Sequence, residues 1–124
     1  MIYSVFLDNN KIATSLLESA DAPMGVVFGE LKFIDKILTY EFFSKYCKAN
    51  SINADEYPED KFISTQTIPR LKVLNETGIE LKGVGCCIAG LDEEGFEITI
   101  LGIPYPFFED EFPHHVKAYK DLFK

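Results

Sequence analysis

The sequence lacks the short motifs that identify the commonest enzyme classes. It contains no Gly-x-Ser-x-Gly elbow, no phosphate-binding loop and no calcium-binding loop. The stretch "GVGCC", residues 83–87, has two glycines in a strand-like run. A dinucleotide-binding loop instead places its glycines where a helix begins. We therefore expect a protein that is not an enzyme and that needs no cofactor.

Histidine is scarce as well, with only His114 and His115 in the chain. Neighbouring residues on a helix point about 100° apart, so these two side chains are poorly placed to bind one metal ion. The carboxylates of residues 109–111 match no zinc or non-haem iron spacing. We expect no metal site, with one histidine exposed and the other packed at the edge of a helix.

Long apolar runs and a secretion signal are also missing. No segment approaches the roughly 18 apolar residues of a membrane span, and no early segment has a basic start, an apolar run and a cleavage site. The three cysteines are an odd number, which favours free thiols over a disulfide framework. The sequence predicts a cytoplasmic protein whose thiols are buried and structural.

The chain has few positively charged residues, since it contains 12 Lys and Arg but 20 Asp and Glu, which gives a net charge of -8. This balance repels nucleic acids and anionic membranes, and it attracts a basic protein. Solvated loops that keep the protein soluble are the alternative interpretation. The acidic residues form three groups: Asp55, Glu56, Glu59 and Asp60; Asp92, Glu93, Glu94 and Glu97; and Glu109, Asp110 and Glu111.

What the chain has in abundance is apolar and aromatic side chains. Its 124 residues are 47% hydrophobic and include eleven Phe and six Tyr. This is enough for one core at this length, so we expect a single domain, residues 1–124, with an aromatic-rich interior.

The first quarter of the chain alternates as β-strands do. Residues 2–7 and 11–18 are expected to pair around Asn9-Asn10, and Pro23 suits the next turn. The strand that follows changes phase at Gly29, which predicts a β-bulge at Gly29-Glu30.

The remaining chain is expected to contain a helix, a second set of strands and a final helix. Leu38, Phe42 and Tyr46 repeat every four residues, which predicts a helix capped by Asp35. Residues 50–60 are polar and turn-rich, which predicts a loop. The expected hairpins turn at 76–78 and 92–95, residues 98–103 form a central strand, and 109–124 form the last helix. The sequence thus predicts an α+β fold, with an antiparallel sheet of about six to seven strands in two meanders covered by two helices.

The stretch "FLDNNKIATSLLESADAPMGVVFGELKF", residues 6–33, is similar to the start of small bacterial proteins associated with polymorphic toxin systems. An acidic α+β chain without catalytic motifs also resembles the immunity proteins of such systems. The resemblance implies a protein that binds one cognate toxin, often a nuclease with a basic active site, and occludes that site.

The expected binding residues are the first two acidic groups, Asp55, Glu56, Glu59 and Asp60 with Asp92, Glu93, Glu94 and Glu97. The second group is favoured because a short hairpin holds its carboxylates with little ordering entropy on binding. Two alternatives are a small-ligand or regulatory module that uses the sheet face, and an enzyme that pairs Cys86 or Cys87 with a histidine. The oligomeric state is left open.

Overall fold

The computed structural model describes residues 1–123, and within them it contains ten strands, three α-helices and one short 3-10 helix, Ala22–Met24; Lys124 lies outside the described residues. The strands are β1 Tyr3–Leu7, β2 Asn10–Ser15, β3 Ser19–Asp21, β4 Val26–Glu30, β5 Lys32–Phe33, β6 Ala54–Tyr57, β7 Phe62–Thr65, β8 Leu71–Leu74, β9 Gly85–Leu91 and β10 Gly95–Leu101. The helices are α1 Tyr40–Ala49, α2 Phe107–Glu111 and α3 Pro113–Asp121.

The strands form two antiparallel sheets, one of four strands in the order β5-β2-β1-β8 and one of six in the order β3-β4-β10-β9-β7-β6. The predicted α+β class is confirmed. The expected sheet is divided in two because the chain changes sheet between neighbouring strands. One such crossing occurs at the buried Leu31, between β4 and β5.

The first hairpin forms as expected, but its turn lies one residue earlier. Asp8 and Asn9 have φ angles of 51° and 69°, whereas Asn10 already belongs to β2. Two positive φ angles in a two-residue loop match the right-handed twist of the flanking strands. The register then shifts between Val5 and Phe6, so that both Ile12 and Ala13 are buried.

The bulge predicted at Gly29-Glu30 is wrong. β4 pairs with β10 in regular register from Val27 to Glu30. Gly29 is required for a different reason, because a Cβ atom there would lie 2.8 Å from both the Leu17 Cα and the Ser15 Oγ. The glycine therefore allows the segment before β3 to cross close beneath β4.

Helix α1 begins at Tyr40, five residues after Asp35, the N-cap that the sequence suggested. Thr39 is extended, and its Oγ1 accepts a hydrogen bond from the Phe42 amide at 3.5 Å. Asp35 instead accepts from the Ile37 amide in the preceding turn. Phe43 and Cys47 form the buried side of the helix, whereas Phe42 and Tyr46, on which the predicted repeat rested, are only half-buried.

The polar segment 50–60 is not all loop, because it contains the edge strand β6. Its side chains are alternately exposed and half-buried, so no hydrophobic alternation marked it in the sequence. At the other end of the chain, the predicted last helix divides into α2 and α3 around the buried Phe112. Within residues 1–123, no helix has the length and apolar character needed to cross a membrane.

The two faces of the six-stranded sheet differ in burial. The inner face contributes Val27, Ile63, Ile88, Ile98 and Ile100, each of which is fully buried. We call the opposite side the outer face, and its side chains are all exposed or half-buried. The outer face consists of Ser19, Asp21, Val26, Phe28, Glu30, Asp55, Tyr57, Phe62, Ser64, Cys87, Ala89, Leu91, Glu97, Thr99 and Leu101.

Gly29→Val should destabilise the fold by about 1–3 kcal/mol, because the new side chain collides with the segment beneath β4. Urea unfolding would measure this. Thr99→Val, on the outer face of the adjacent strand, is the control and should change stability by less than about 0.5 kcal/mol. Equal stability of the two variants would show that the space beneath Gly29 is not restrictive.

Candidate protein-binding surface

Three carboxylates lie in one row across the outer face. The strand registers align Asp55 with Ser64, Ser64 with Ala89, Ala89 with Glu97, and Glu97 with Glu30. Residues directly opposite each other on neighbouring strands point to the same side of a sheet. Asp55, Glu97 and Glu30 are all exposed, so the row places three negative charges on the outer face.

Two acidic hairpin turns adjoin this row at one end of the sheet. Residues 58–61 join β6 to β7, and residues 92–94 join β9 to β10. The pairing of Phe62 with Leu91 sets these turns beside each other. The two acidic groups that are far apart in the sequence therefore meet in the fold.

Most of these carboxylates have no partner within the described chain. The ion pairs of residues 1–123 are Arg70 with Asp8 and Lys117 with Asp121, both elsewhere in the protein. Lys61 is the single cation in the two turns. We call the outer face with these turns the outer acidic surface, and its unpaired carboxylates are Asp21, Glu30, Asp55, Glu59, Asp60, Glu93, Glu94 and Glu97.

Part of the outer acidic surface is concave. An open depression of about 440 Å³ is lined by Glu18, Glu30, Glu94 and Glu97 together with apolar side chains such as Leu91. Beside it, the rings of Tyr57 and Phe62 contact each other with centroids 5.5 Å apart. The surface thus combines negative charge with accessible aromatic area.

Two of the eight predicted binding residues have structural partners instead. Glu56 Oε1 accepts hydrogen bonds from the Ser44 hydroxyl at 2.6 Å and the Tyr40 hydroxyl at 2.8 Å. Both hydrogen bonds lower the pKa of Glu56, and the bond from Ser44 has the larger effect. Asp92 Oδ1 accepts a hydrogen bond from the backbone amide of Tyr40 at 2.7 Å. Its negative charge is also favourable at this position, because the N-terminus of a helix carries a partial positive charge. Both carboxylates therefore fix α1 to the six-stranded sheet.

The third acidic group also includes a structural member. Glu111 accepts hydrogen bonds from the Tyr3 hydroxyl at 2.9 Å and from the side-chain amide of Asn75 at 2.8 Å. Burial has the largest effect in raising the pKa of Tyr3, and the hydrogen bond to Glu111 raises it further. Glu111 thus ties α2 to β1 and to the loop after β8, while Glu109 and Asp110 remain exposed.

The cysteines lie in settings that disfavour thiolates. Cys47 and Cys86 are buried, Cys87 is half-buried on the outer face, and all three are free thiols. Burial raises the pKa of Cys47 and of Cys87, and it raises the pKa of Cys86 to about 12. A nucleophilic cysteine needs the opposite shift, so the environment gives no support to the cysteine-enzyme alternative.

The two histidines occupy different environments at the start of α3. His115 is half-buried, and its Nε2 lies 2.9 Å from the carbonyl oxygen of Leu17, which can only accept a hydrogen bond. Nε2 therefore carries the proton. His114 is mostly exposed. The part of its ring that is buried lowers its pKa most, and the nearby charge of His115 lowers it further. No three His, Cys, Asp or Glu side chains within residues 1–123 are grouped so that they could hold a metal ion.

Sequence reasoning did not select Glu30 or the aromatic residues of the outer face. Glu30 joins Glu97 only through the pairing of β4 with β10, which no local pattern specifies. The alternation of exposed and buried residues in β10 was the available signal for a one-sided sheet, since Glu97 separates Phe96 from Ile98.

Comparisons of this chain with protein-family models, with curated proteins and with solved structures give no match.

Glu56→Gln should destabilise the protein by about 1 kcal/mol at pH 7, since the charged acceptor of two hydrogen bonds is lost. Because folding lowers the pKa of Glu56, its contribution is complete above the ordinary glutamate pKa of about 4.3 and disappears as pH falls through the folded value. Urea unfolding from pH 7 to pH 3 should therefore show the difference from the parent shrinking. Asp55→Asn, a neighbour without a side-chain partner, should show no such trend.

The thiols should react slowly with iodoacetamide in the folded protein. With a pKa of about 12, Cys86 is a thiolate in about one molecule in 10⁴ at pH 8. Cys87→Ser should keep the fold. Rapid alkylation of Cys86 in the native state, with free cysteine as the reference, would contradict the raised pKa.

Proposed function

We propose that this protein is a non-catalytic binding protein that neutralises a basic protein partner, as an immunity protein neutralises its toxin. The outer acidic surface is the docking site. The observation that carries this proposal is the uncovered outer face, whose carboxylates have no cation partners in the described chain.

Charge complementarity supports a basic partner. Like charges that face each other across strands repel, and Glu97 lies directly opposite Glu30. A lysine or arginine side chain placed between such carboxylates would relieve that repulsion while gaining charge-assisted hydrogen bonds. The same field would steer a basic domain towards this surface and raise its association rate.

The composition of the outer face supports a protein partner in particular. Tyr57 is 61% exposed, and the half-buried Phe28, Phe62 and Leu91 add apolar area between the charged positions. Aromatic side chains contribute much of the affinity in protein interfaces, whereas surrounding charges mainly set specificity and rate. The outer acidic surface offers both.

The rigidity of the surface favours inhibition by occlusion. Its carboxylates project from paired strands and from two short turns, so little conformational entropy is lost when a partner binds. A nuclease active site is basic because it holds phosphates, and a fixed array of carboxylates could occupy it. We place this activity in the cytoplasm, where the three free thiols would stay reduced.

The proposal is tested with the protein encoded by the neighbouring gene. The two proteins are co-expressed and co-purified, and the association rate of the purified pair is measured at low and high salt. Asp55→Lys/Glu97→Lys and Glu93→Lys/Glu94→Lys should each slow association about tenfold at low salt, with a smaller effect at high salt. Thermal unfolding should change little, because exposed charges contribute little to stability.

Glu109→Lys/Asp110→Lys is the matched control, since it reverses two adjacent exposed carboxylates on α2, outside the outer acidic surface. It should leave the association rate within about twofold of the parent. Equal rates for all three folded variants would exclude the outer acidic surface as the docking site. If the neighbouring gene product neither binds nor is inhibited, the proposed neutralising function is wrong.

A further inference from the structure

A second concave site lies apart from the outer acidic surface. It is a cavity of about 280 Å³ bounded by the turn of the β1–β2 hairpin, the loop of residues 34–38 and one side of α1. None of the residues that line it belongs to the outer face. Its properties therefore bear on a different ligand from the proposed protein partner.

The interior of this cavity is apolar and well supported. Leu7, Ile12 and Leu38 are nearly fully buried and line it. On the helix side, the rings of Phe42 and Tyr46 are stacked, with centroids 6.4 Å apart and planes 17° from parallel. An apolar concave wall with aromatic rings is typical of small-molecule sites.

Two isoleucines at the cavity are left largely in water. Ile34 is 61% exposed and Ile37 is 64% exposed, and both line the cavity from the same loop. Such exposure is unfavourable for large apolar side chains. A molecule held in the cavity would remove part of this surface from water, which is a driving force for binding.

The carboxylates at the cavity already have partners within the protein. Asp8 Oδ1 lies 2.7 Å from Arg70 Nε and accepts a hydrogen bond from the Tyr46 hydroxyl at 3.3 Å. Asp35 Oδ1 accepts from the Ile37 amide at 3.0 Å. These acids shape the walls and do not require a charged ligand. Lys11 lines the cavity and is exposed, so its alkyl stem can contribute apolar wall while its ammonium group stays in solvent.

We propose that this cavity binds one small, uncharged molecule built on an aromatic ring. The apolar walls determine the chemical class, and the occupied carboxylates exclude a need for ligand charge. The volume fits this size, since an apolar cavity of about 150 Å³ accommodates benzene in another protein. At about 280 Å³, the present cavity has room for a bicyclic ring such as indole.

The test is a titration of the folded protein with indole, followed by amide chemical shifts in two-dimensional NMR spectra. The shifts should saturate and concentrate at residues that line the cavity. Benzoate and benzylamine, which carry a charge on a ring, should bind more weakly than indole. Tighter binding of either would overturn the uncharged ligand class.

Ile34→Ser/Ile37→Ser removes apolar wall at two exposed positions and so should leave the fold intact. It should weaken indole binding at least tenfold, because each methylene-sized group removed from the contact costs about fourfold in affinity and two such groups already cost about sixteenfold. Ile79→Ser, at an isoleucine that is 55% exposed elsewhere, is the matched control and should bind indole as the parent does.

Absence of saturable shifts, or equal indole affinity in the double variant and the parent, would overturn the proposal. The proposal would also be overturned if indole did not bind and a protein partner instead removed Ile34 and Ile37 from solvent. The cavity would then hold a side chain of that partner. Neither result would affect the test of the outer acidic surface, which uses different residues.

Discussion

Contact among the rings of Phe33, Phe43 and Phe96 joins the three parts of this fold. Phe33 belongs to the four-stranded sheet, Phe43 to α1 and Phe96 to the six-stranded sheet, and their centroids lie 5.6 to 5.8 Å apart. Phe43 and Phe96 are buried, so this contact is part of the core. Because α1 and the smaller sheet both pack on the inner face, the outer face stays uncovered. The candidate docking surface is thus a consequence of how the core is assembled.

Carboxylates have two separate uses in this protein. Glu56, Asp92 and Glu111 accept hydrogen bonds that hold helices to strands. The unpaired carboxylates of the outer acidic surface have no such partners and are exposed. Charge alone does not distinguish the two sets, since Glu56 is adjacent to Asp55 in β6. Alternation along the strand separates them, because it points Glu56 towards α1 and Asp55 towards solvent.

The sequence patterns predicted the elements with the strongest periodicity. The β9–β10 hairpin turns within residues 92–95 as predicted, and Gly95 takes a φ angle of 98° there. The predicted helix α1 is present, but its fully buried aromatic residue is Phe43, while the periodic Phe42 and Tyr46 are half-buried. The edge strand β6 was missed because neither of its faces is fully buried, so its alternation carries no hydrophobic signal. The role of Gly29 was misassigned because the close approach of Leu17 and Ser15 is a contact between segments that local sequence cannot specify.

The sequence by itself determined the α+β class and the surplus of negative charge, because composition and local periodicity fix these properties. Only the tertiary structure decided which carboxylates stand together. Strand register set Asp55, Glu97 and Glu30 in one row, and it set the two acidic turns side by side. Register depends on which strands pair and which face is buried, and that choice is made by packing of the whole chain.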